Sequence, residues 1–286
     1  MSDSPVKITG HLQIPGTISL VLPAYNEEDN IEIVVRQAMT ILPRYADDFE
    51  IIPVNDGSRD RTGRIIDQLA VEDARIRPVH HKANRGYGGA VASGIKASTG
   101  QYVMFMDADR QFDIADIRRL APFVTEFDIV AGFRMERADP LRRRINAEIF
   151  NLAVRIAFGV HLRDLDCAFK IFHGDIVRSL DLTSSGALIN AEMQAKLRRQ
   201  SASLQQVGVP HHPRIAGTST GGSATVILRA MKGMVVLWVH MLNYSPPNGV
   251  PALNKRRAIG GTVVRAFTAT ASTVNQKLIR RHSPDR

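Results

Sequence analysis

Tyr102-Val-Met-Phe-Met-Asp-Ala-Asp-Arg-Gln111 is a short apolar run that passes without a linker into two acids, an arginine and an amide. Such a run suits a buried strand and is too short for a globular helix. Carboxylates at its end are costly unless a cation or a donor meets them. The same grammar extends outward. Upstream, Ile18 to Leu22, Glu50 to Val54 and Ile76 to His80 read as strands. Helix-period segments follow them near Asn30 to Ile41, Asp60 to Glu72 and Gly89 to Ala97. Downstream, Ile114 to Phe123 reads as a helix and Asp128 to Ala131 as a strand. The resulting βαβαβαβαβ order predicts an α/β fold, a doubly wound and mostly parallel sheet with helices on both faces. Ligands of such sheets lie beyond the carboxyl ends of the strands.

After Gly132 the pattern continues with a helix at about Arg144 to Phe158, a strand-like Phe169 to His173, a helix near Asn190 to Gln200 and a strand Leu204 to Val209. Ala216 to Gly222 reads as a linker and Thr225 to Leu242 as a last helix, which the proline-rich Asn243 to Pro251 stops. The expected organisation is a catalytic domain over 1–222, an amphipathic helix over 223–245 and a basic tail over 246–286. The 286 residues carry 37 Lys and Arg against 28 Asp and Glu, formally +9. Lys255, Arg256, Arg257, Arg265, Lys277, Arg280, Arg281 and Arg286, against Asp285 alone, place +7 of that in the tail. The remainder is nearly neutral. A nucleic-acid-binding fold predicts cations and interleaved aromatics across its body, whereas Phe267 is the tail's lone aromatic. Nucleic acid is therefore disfavoured as a partner. Cys167, the single cysteine, excludes an internal disulfide and a thiolate zinc cluster. No signal-like start and no apolar run of spanning length is evident, so a cytoplasmic location is expected.

Chemistry gathers at the strand ends. Pro23-Ala-Tyr-Asn-Glu-Glu28 offers Tyr25 and Glu27 for a nucleoside, or forms a plain strand-to-helix turn. In Asn55-Asp-Gly-Ser-Arg-Asp-Arg-Thr62, Asp56 is placed to accept from a base and Asp60 to cap a helix. Asn84-Arg-Gly-Tyr-Gly-Gly-Ala90 fails both common phosphate-loop templates. It is either a backbone pressed against a ligand or a flexible turn. Extended alternation puts Asp107, Asp109 and Gln111 on one face. They form a hard-oxygen set suited to Mg²⁺ or Mn²⁺.

These segments resemble glycosyltransferase family 2, and within it the dolichol- or polyprenyl-phosphate sugar synthase type. Asp164-Leu-Asp-Cys-Ala-Phe-Lys170 and Pro213-Arg-Ile-Ala-Gly-Thr-Ser219 extend the similarity. The resemblance implies a GT-A fold and inverting transfer from a nucleoside-diphosphate sugar, of the GDP-mannose or UDP-glucose type. It implies Pro23, Tyr25, Glu27, Asp56 and Asp107 around the nucleotide, and Asp107, Asp109 and Gln111 on metal and diphosphate. Arg134 and Arg214 match positions near the phosphates. Departures are Asn55 for the usual first acid, Ala168 for glycine before Phe169, and Thr220 where lysine is common.

The expected acceptor is a polyprenyl or dolichyl phosphate, already a dianion near neutral pH because its second pKa is about 6. A hydroxyl on a lipid, glycan or small molecule is the alternative, and it would need a base. Asp164, Asp166 and Glu192 are the candidates, Asp164 being favoured through its motif. Catalysis is expected of Asp109, Asp164, Arg134 and Arg214. Acceptor binding is expected of Arg143 and Arg144 in the Arg142-Arg-Arg144 cluster, of Ser219 and of Glu192. His211 and His212 suit a structural or solvent role. Ile227, Met231, Met234, Val235, Trp238 and Leu242 form one stripe of the last helix. That stripe and the tail suit a peripheral enzyme on the cytoplasmic membrane face. A second copy or a membrane partner remains open.

Overall fold

From Ile18 to Ala24 every residue is buried, with Ile18, Leu20, Val21 and Leu22 at 0% exposure. A strand buried at successive positions has both faces covered, as parallel sheets require. The computed structural model describes the backbone of residues 13–135, 141–214 and 224–247, with side chains throughout except at 141–149 and 224–232. The chain divides into Met1–Leu253 and Asn254–Arg286, and all described residues belong to the first unit.

The strands are β1 (Ile14–Ala24), β2 (Ala46–Asn55), β3 (Val79–His80), β4 (Tyr102–Phe105), β5 (Ile129–Arg134), β6 (Lys170–His173) and β7 (Leu204–Val209). They form one sheet in the order β3-β2-β1-β4-β6-β5-β7. All neighbours are parallel except β6, which runs against both β4 and β5. The helices are α1 (Ile31–Ile41), α2 (Thr62–Glu72), α3 (Gly86–Ala97), the short α4 (Ile117–Leu120), α5 (Leu141–Phe158), α6 (Gly174–Arg178), α7 (Ile189–Arg199) and α8 (Ala224–Leu242). The doubly wound, mostly parallel sheet read from the sequence is the architecture found.

Four local differences matter. The strand expected at Ile76 to His80 is reduced to Val79–His80, with an isolated bridge between Ile51 and Ile76. Helix α3 begins three residues early, at Gly86, where φ is +83°. The helix expected at Ile114 to Phe123 is one α-helical turn between two 3₁₀ turns. The reversed β6 pairs Lys170 with Phe105 and Ala131, so residues 164–169 arrive at the carboxyl ends of β4 and β5. Chain that would otherwise sit at the opposite edge is thereby delivered to the end where the parallel strands point.

Helix α3 packs on β1 and β2. Gly94 permits that approach, because a Cβ there would overlap the Val21 side chain and stand 3.0 Å from Val54 Cγ2. On α8, Met234, Leu237 and Met241 are buried, while Val235, Trp238, Val239 and Leu242 are exposed. The stripe expected on one face thus divides, with Met234 inward and Val235, Trp238 and Leu242 outward. The side chains of Ile227 and Met231 lie outside the described residues.

Candidate active site

The exits of β1 and β2 are laced together. Pro23, buried, lies in register with Val54, and the chain then turns through Asn26 at φ +54°. Asn26 N–H donates to Ser58 Oγ (3.0 Å), Asn26 Oδ1 accepts from Arg59 N–H (2.9 Å), and Glu27 N–H donates to Thr62 Oγ1 (2.8 Å). Asp60 accepts from the Thr62 amide and hydroxyl just before α2, whose N-cap position is Arg61 rather than the expected Asp60. Tyr25 is left 38% exposed above this lattice.

Asp56 departs from the expectation of an open base acceptor. Its Oδ1 accepts from Arg85 N–H (2.8 Å) and lies 2.6 Å from His81 Nδ1, and its Oδ2 accepts from Gly86 N–H (2.9 Å). His81 Nε2 lies 2.9 Å from Ser93 Oγ. With 2% of its surface exposed, Asp56 organises the glycine-rich turn. That turn packs against residues 184–186. Gly88 N–H donates to Ser185 O (2.9 Å), and a Cβ on Gly86 or Gly88 would strike the carbonyls of Ser185 and Ser184.

Glu192 is likewise occupied. It has no exposed surface, and its carboxylate accepts from Thr183 N–H and hydroxyl, Ser184 N–H (2.8 Å) and Lys196 Nζ (2.7 Å). Burial pushes it up, yet these donors hold it below the usual carboxylate range. It anchors the segment that clamps the glycine turn.

Beyond β4 the extended alternation fails at Arg110, where φ is +63°. The chain folds back, and Gln111 N–H donates to Asp109 Oδ1 (3.1 Å) while Gln111 Nε2 donates to His212 O (3.2 Å). Asp107 Oδ1 is buried with no hydrogen-bond partner. Burial first and the Asp109 charge second push Asp107 up to about 7, against the Tyr87 hydroxyl, Lys170 and Arg134, which pull it down. A buried carboxylate oxygen so placed suits a cation.

Arg134 meets Asp164 through Nε (2.6 Å), Nη2 (2.8 Å) and its own N–H (3.2 Å), so this acid is the fork that aims Arg134. Lys170, fully buried, donates to the carbonyls of Leu165 (3.0 Å) and Cys167 and to Asn190 Oδ1 (3.3 Å). Sequence reasoning gave it no role, although a lysine inside the apolar Phe169 to His173 is the signal that marks it. Burial holds its ammonium below the ordinary lysine range, while Cys167, Asp164, Asp166 and Asp107 pull it back up.

Arg214 Nη2 lies 2.7 Å from Glu27 Oε1 and 3.4 Å from Asp109 Oδ2. It thus joins the ends of β1, β4 and β7. The side chains of Arg143 and Arg144, and Ser219 entirely, lie outside the described residues. No cluster of three His, Cys, Asp or Glu side chains able to hold a metal occurs among the described residues. Asp107 and Asp109 therefore supply two hard oxygen groups, with water or substrate oxygens to complete a shell. That donor chemistry fits Mg²⁺ or Mn²⁺, which are held by few carboxylates plus phosphate.

The glycosyl transferase family 2 model matches residues 19–181. Glycosyltransferase AglD of Haloferax volcanii is 32% identical over 227 residues, covering 76% of this chain and 35% of that protein. The undecaprenyl-phosphate 4-deoxy-4-formamido-L-arabinose transferase of Pseudomonas fluorescens is 32% identical over 165 residues, 57% of this chain and 48% of that protein. The chain thus spans half or less of the length of these relatives. Glucosyl-3-phosphoglycerate synthase from Mycobacterium tuberculosis, solved with phosphoglyceric acid, shares the fold at a TM-score of 0.61 and 20% identity, over 88% of this chain and 85% of that one. The same synthase has also been solved with Mn²⁺, uridine diphosphate and glucosyl-3-phosphoglycerate.

Proposed function

Because this chain belongs to glycosyl transferase family 2, we propose that it moves a sugar, with inversion, from a nucleoside-diphosphate donor of the GDP-mannose or UDP-glucose type to a polyprenyl or dolichyl phosphate. The observation that carries the donor half is the buried, unpartnered oxygen of Asp107 beside Asp109 at the end of β4. Asp107 and Asp109, with the Gln111 side chain, hold Mg²⁺ or Mn²⁺. When bound, the ion neutralises charge developing on the departing diphosphate. Pro23, Tyr25 and Glu27 border the nucleoside. Asp56 contributes by fixing the Arg85–Gly86 backbone. Arg134, aimed by Asp164, and Arg214 reach the phosphates, where cations fixed in advance favour charge separation.

The acceptor half is supported by the state of two of the three expected bases, Asp164 and Glu192. Both oxygens of Asp164 are engaged by Arg134, and the Glu192 carboxylate is filled by four donor groups. A phosphate dianion needs no such base. Arg143, Arg144 and Ser219 are assigned to the acceptor phosphate. We read the protein as peripheral on the cytoplasmic face of a membrane, and the exposed apolar face of α8 supports the peripheral association. Trp238 and Leu242 rim a cavity there that Phe158, Arg198 and Arg199 also line. No helix among the described residues is long and apolar enough to cross a membrane.

The test supplies the protein and Mg²⁺ with labelled GDP- and UDP-sugars and polyprenyl phosphate. Label is expected in the organic phase with one donor. An unlabelled organic phase, together with a labelled hydroxyl acceptor, would overturn the lipid-phosphate reading.

A further inference from the structure

Arg214 reaches its carboxylates from the far side of the sheet. It follows β7, the edge strand, whereas Glu27 and Asp109 follow β1 and β4 near the centre. Residues 210–214 cross that distance as a strap fastened at several points. Met135 N–H donates to Val209 O (3.1 Å), His212 N–H donates to Gln111 O (2.9 Å), and Gln111 Nε2 returns the bond to His212 O (3.2 Å). The His211 ring meets Phe112 edge-on at 5.1 Å. The strap ends with a guanidinium whose side chain is 22% exposed, set between two carboxylates that are each 12% exposed.

Asp109 Oδ1 is bound by the Gln111 amide, so Oδ2 is the oxygen it can offer outward, and Arg214 stands beside it. Burial, the first cause, and the neighbouring Asp109 raise Glu27, while Asn30 and Arg214 oppose them. One guanidinium thus offsets repulsion between two acids on different strands. A divalent ion arriving alone meets a positive charge at that oxygen, whereas an ion arriving with a diphosphate brings the anion to which Arg214 can transfer.

We infer that Arg214 is a resident counter-ion for Asp109 that makes divalent-metal binding depend on a nucleoside diphosphate. The donor-free protein keeps its acids neutralised by its own arginine. Arrival of metal with diphosphate moves that arginine from carboxylate to phosphate. Arg214 is therefore a positioning residue that couples the two ligands, in addition to its proposed contact with the phosphates. The inference rests on the metal reading of Asp107 and Asp109.

The experiment titrates Mn²⁺, read by the paramagnetic resonance of the free ion, into the full chain with and without saturating UDP or GDP. Wild type, Arg214→Gln and Arg214→Ala are compared, each first shown to be folded by its melting curve. Wild type is expected to bind Mn²⁺ at least about tenfold more tightly with nucleotide than without. In both variants Mn²⁺ alone should bind several-fold more tightly than in wild type, and the enhancement by nucleotide should fall about tenfold. If wild type takes up no Mn²⁺ even with nucleotide, the metal reading itself fails. If wild type binds and the variants keep its nucleotide dependence, the metal reading stands and the counter-ion role of Arg214 is overturned.

Discussion

Asp107 and Asp109 differ in what surrounds them, and the difference sorts their duties. Asp107 is raised by burial and has a bare oxygen, whereas Asp109 is held by the Gln111 amide and faced by Arg214. Asp109→Asn keeps the shape and the amide contact while removing the charge. It is expected to lower metal-dependent transfer by at least about a hundredfold, with the melting temperature little changed; retained turnover would remove Asp109 from the site. The strand-end position of these acids was legible because carboxylates that directly follow a buried apolar run must lie where that run leaves the core. The occupation of Asp56 and Glu192 was not. Nothing in the one-dimensional spacing says that the Arg85 and Gly86 amides, some thirty positions on, will fill the first, or that Thr183 and Ser184 will fill the second. Short-range pattern locates polar side chains; only the folded backbone decides which already have partners.

Glu50 shows the same logic between elements. Sitting on β2, it accepts from Ser19 Oγ on β1 (2.6 Å), from the Thr99 amide (2.6 Å) and hydroxyl (2.9 Å) before β4, and from Arg77. Burial pushes its carboxyl up, but these donors prevail and hold it below its ordinary value of 4.5. A depressed folded pKa means the unfolded chain binds the proton first as pH falls. The stabilisation is therefore complete above about pH 4.5 and is lost as pH drops through the lowered folded value. Glu50→Gln is expected to cost about 1–3 kcal/mol at pH 7. The gap from wild type should narrow on acidification, as urea melts at pH 7 and pH 3 would show; a gap independent of pH would contradict the assignment. At this scale the alternation of strands and helices was readable from hydrophobic period, whereas the reversal of β6 was not. A four-residue strand carries no mark of direction, and pairing with β4 and β5 decides it.

For the whole molecule, charge and apolar surface are divided along the chain. The tail from Leu253 carries +7, and the outward face of α8 carries Val235, Trp238, Val239 and Leu242. Basic residues near an anionic surface contribute about 1 kcal/mol each. Removing the chain after Val250 is expected to weaken binding to anionic liposomes at least tenfold, while turnover of a detergent-dispersed acceptor changes little. Equal sedimentation of both forms with liposomes would count against anchoring by the tail.

The bridge from Arg214 to Glu27 spans 187 positions of sequence. Contacts between such distant residues close large loops and tend to form late in folding. A chain emerging from synthesis can build β1, β2 and β4 and display both acids long before the arginine exists. Competence to bind a charged donor in the order inferred above therefore arrives with the final strand, and an unfinished chain carries its acidic centre without the built-in counter-charge of the completed one.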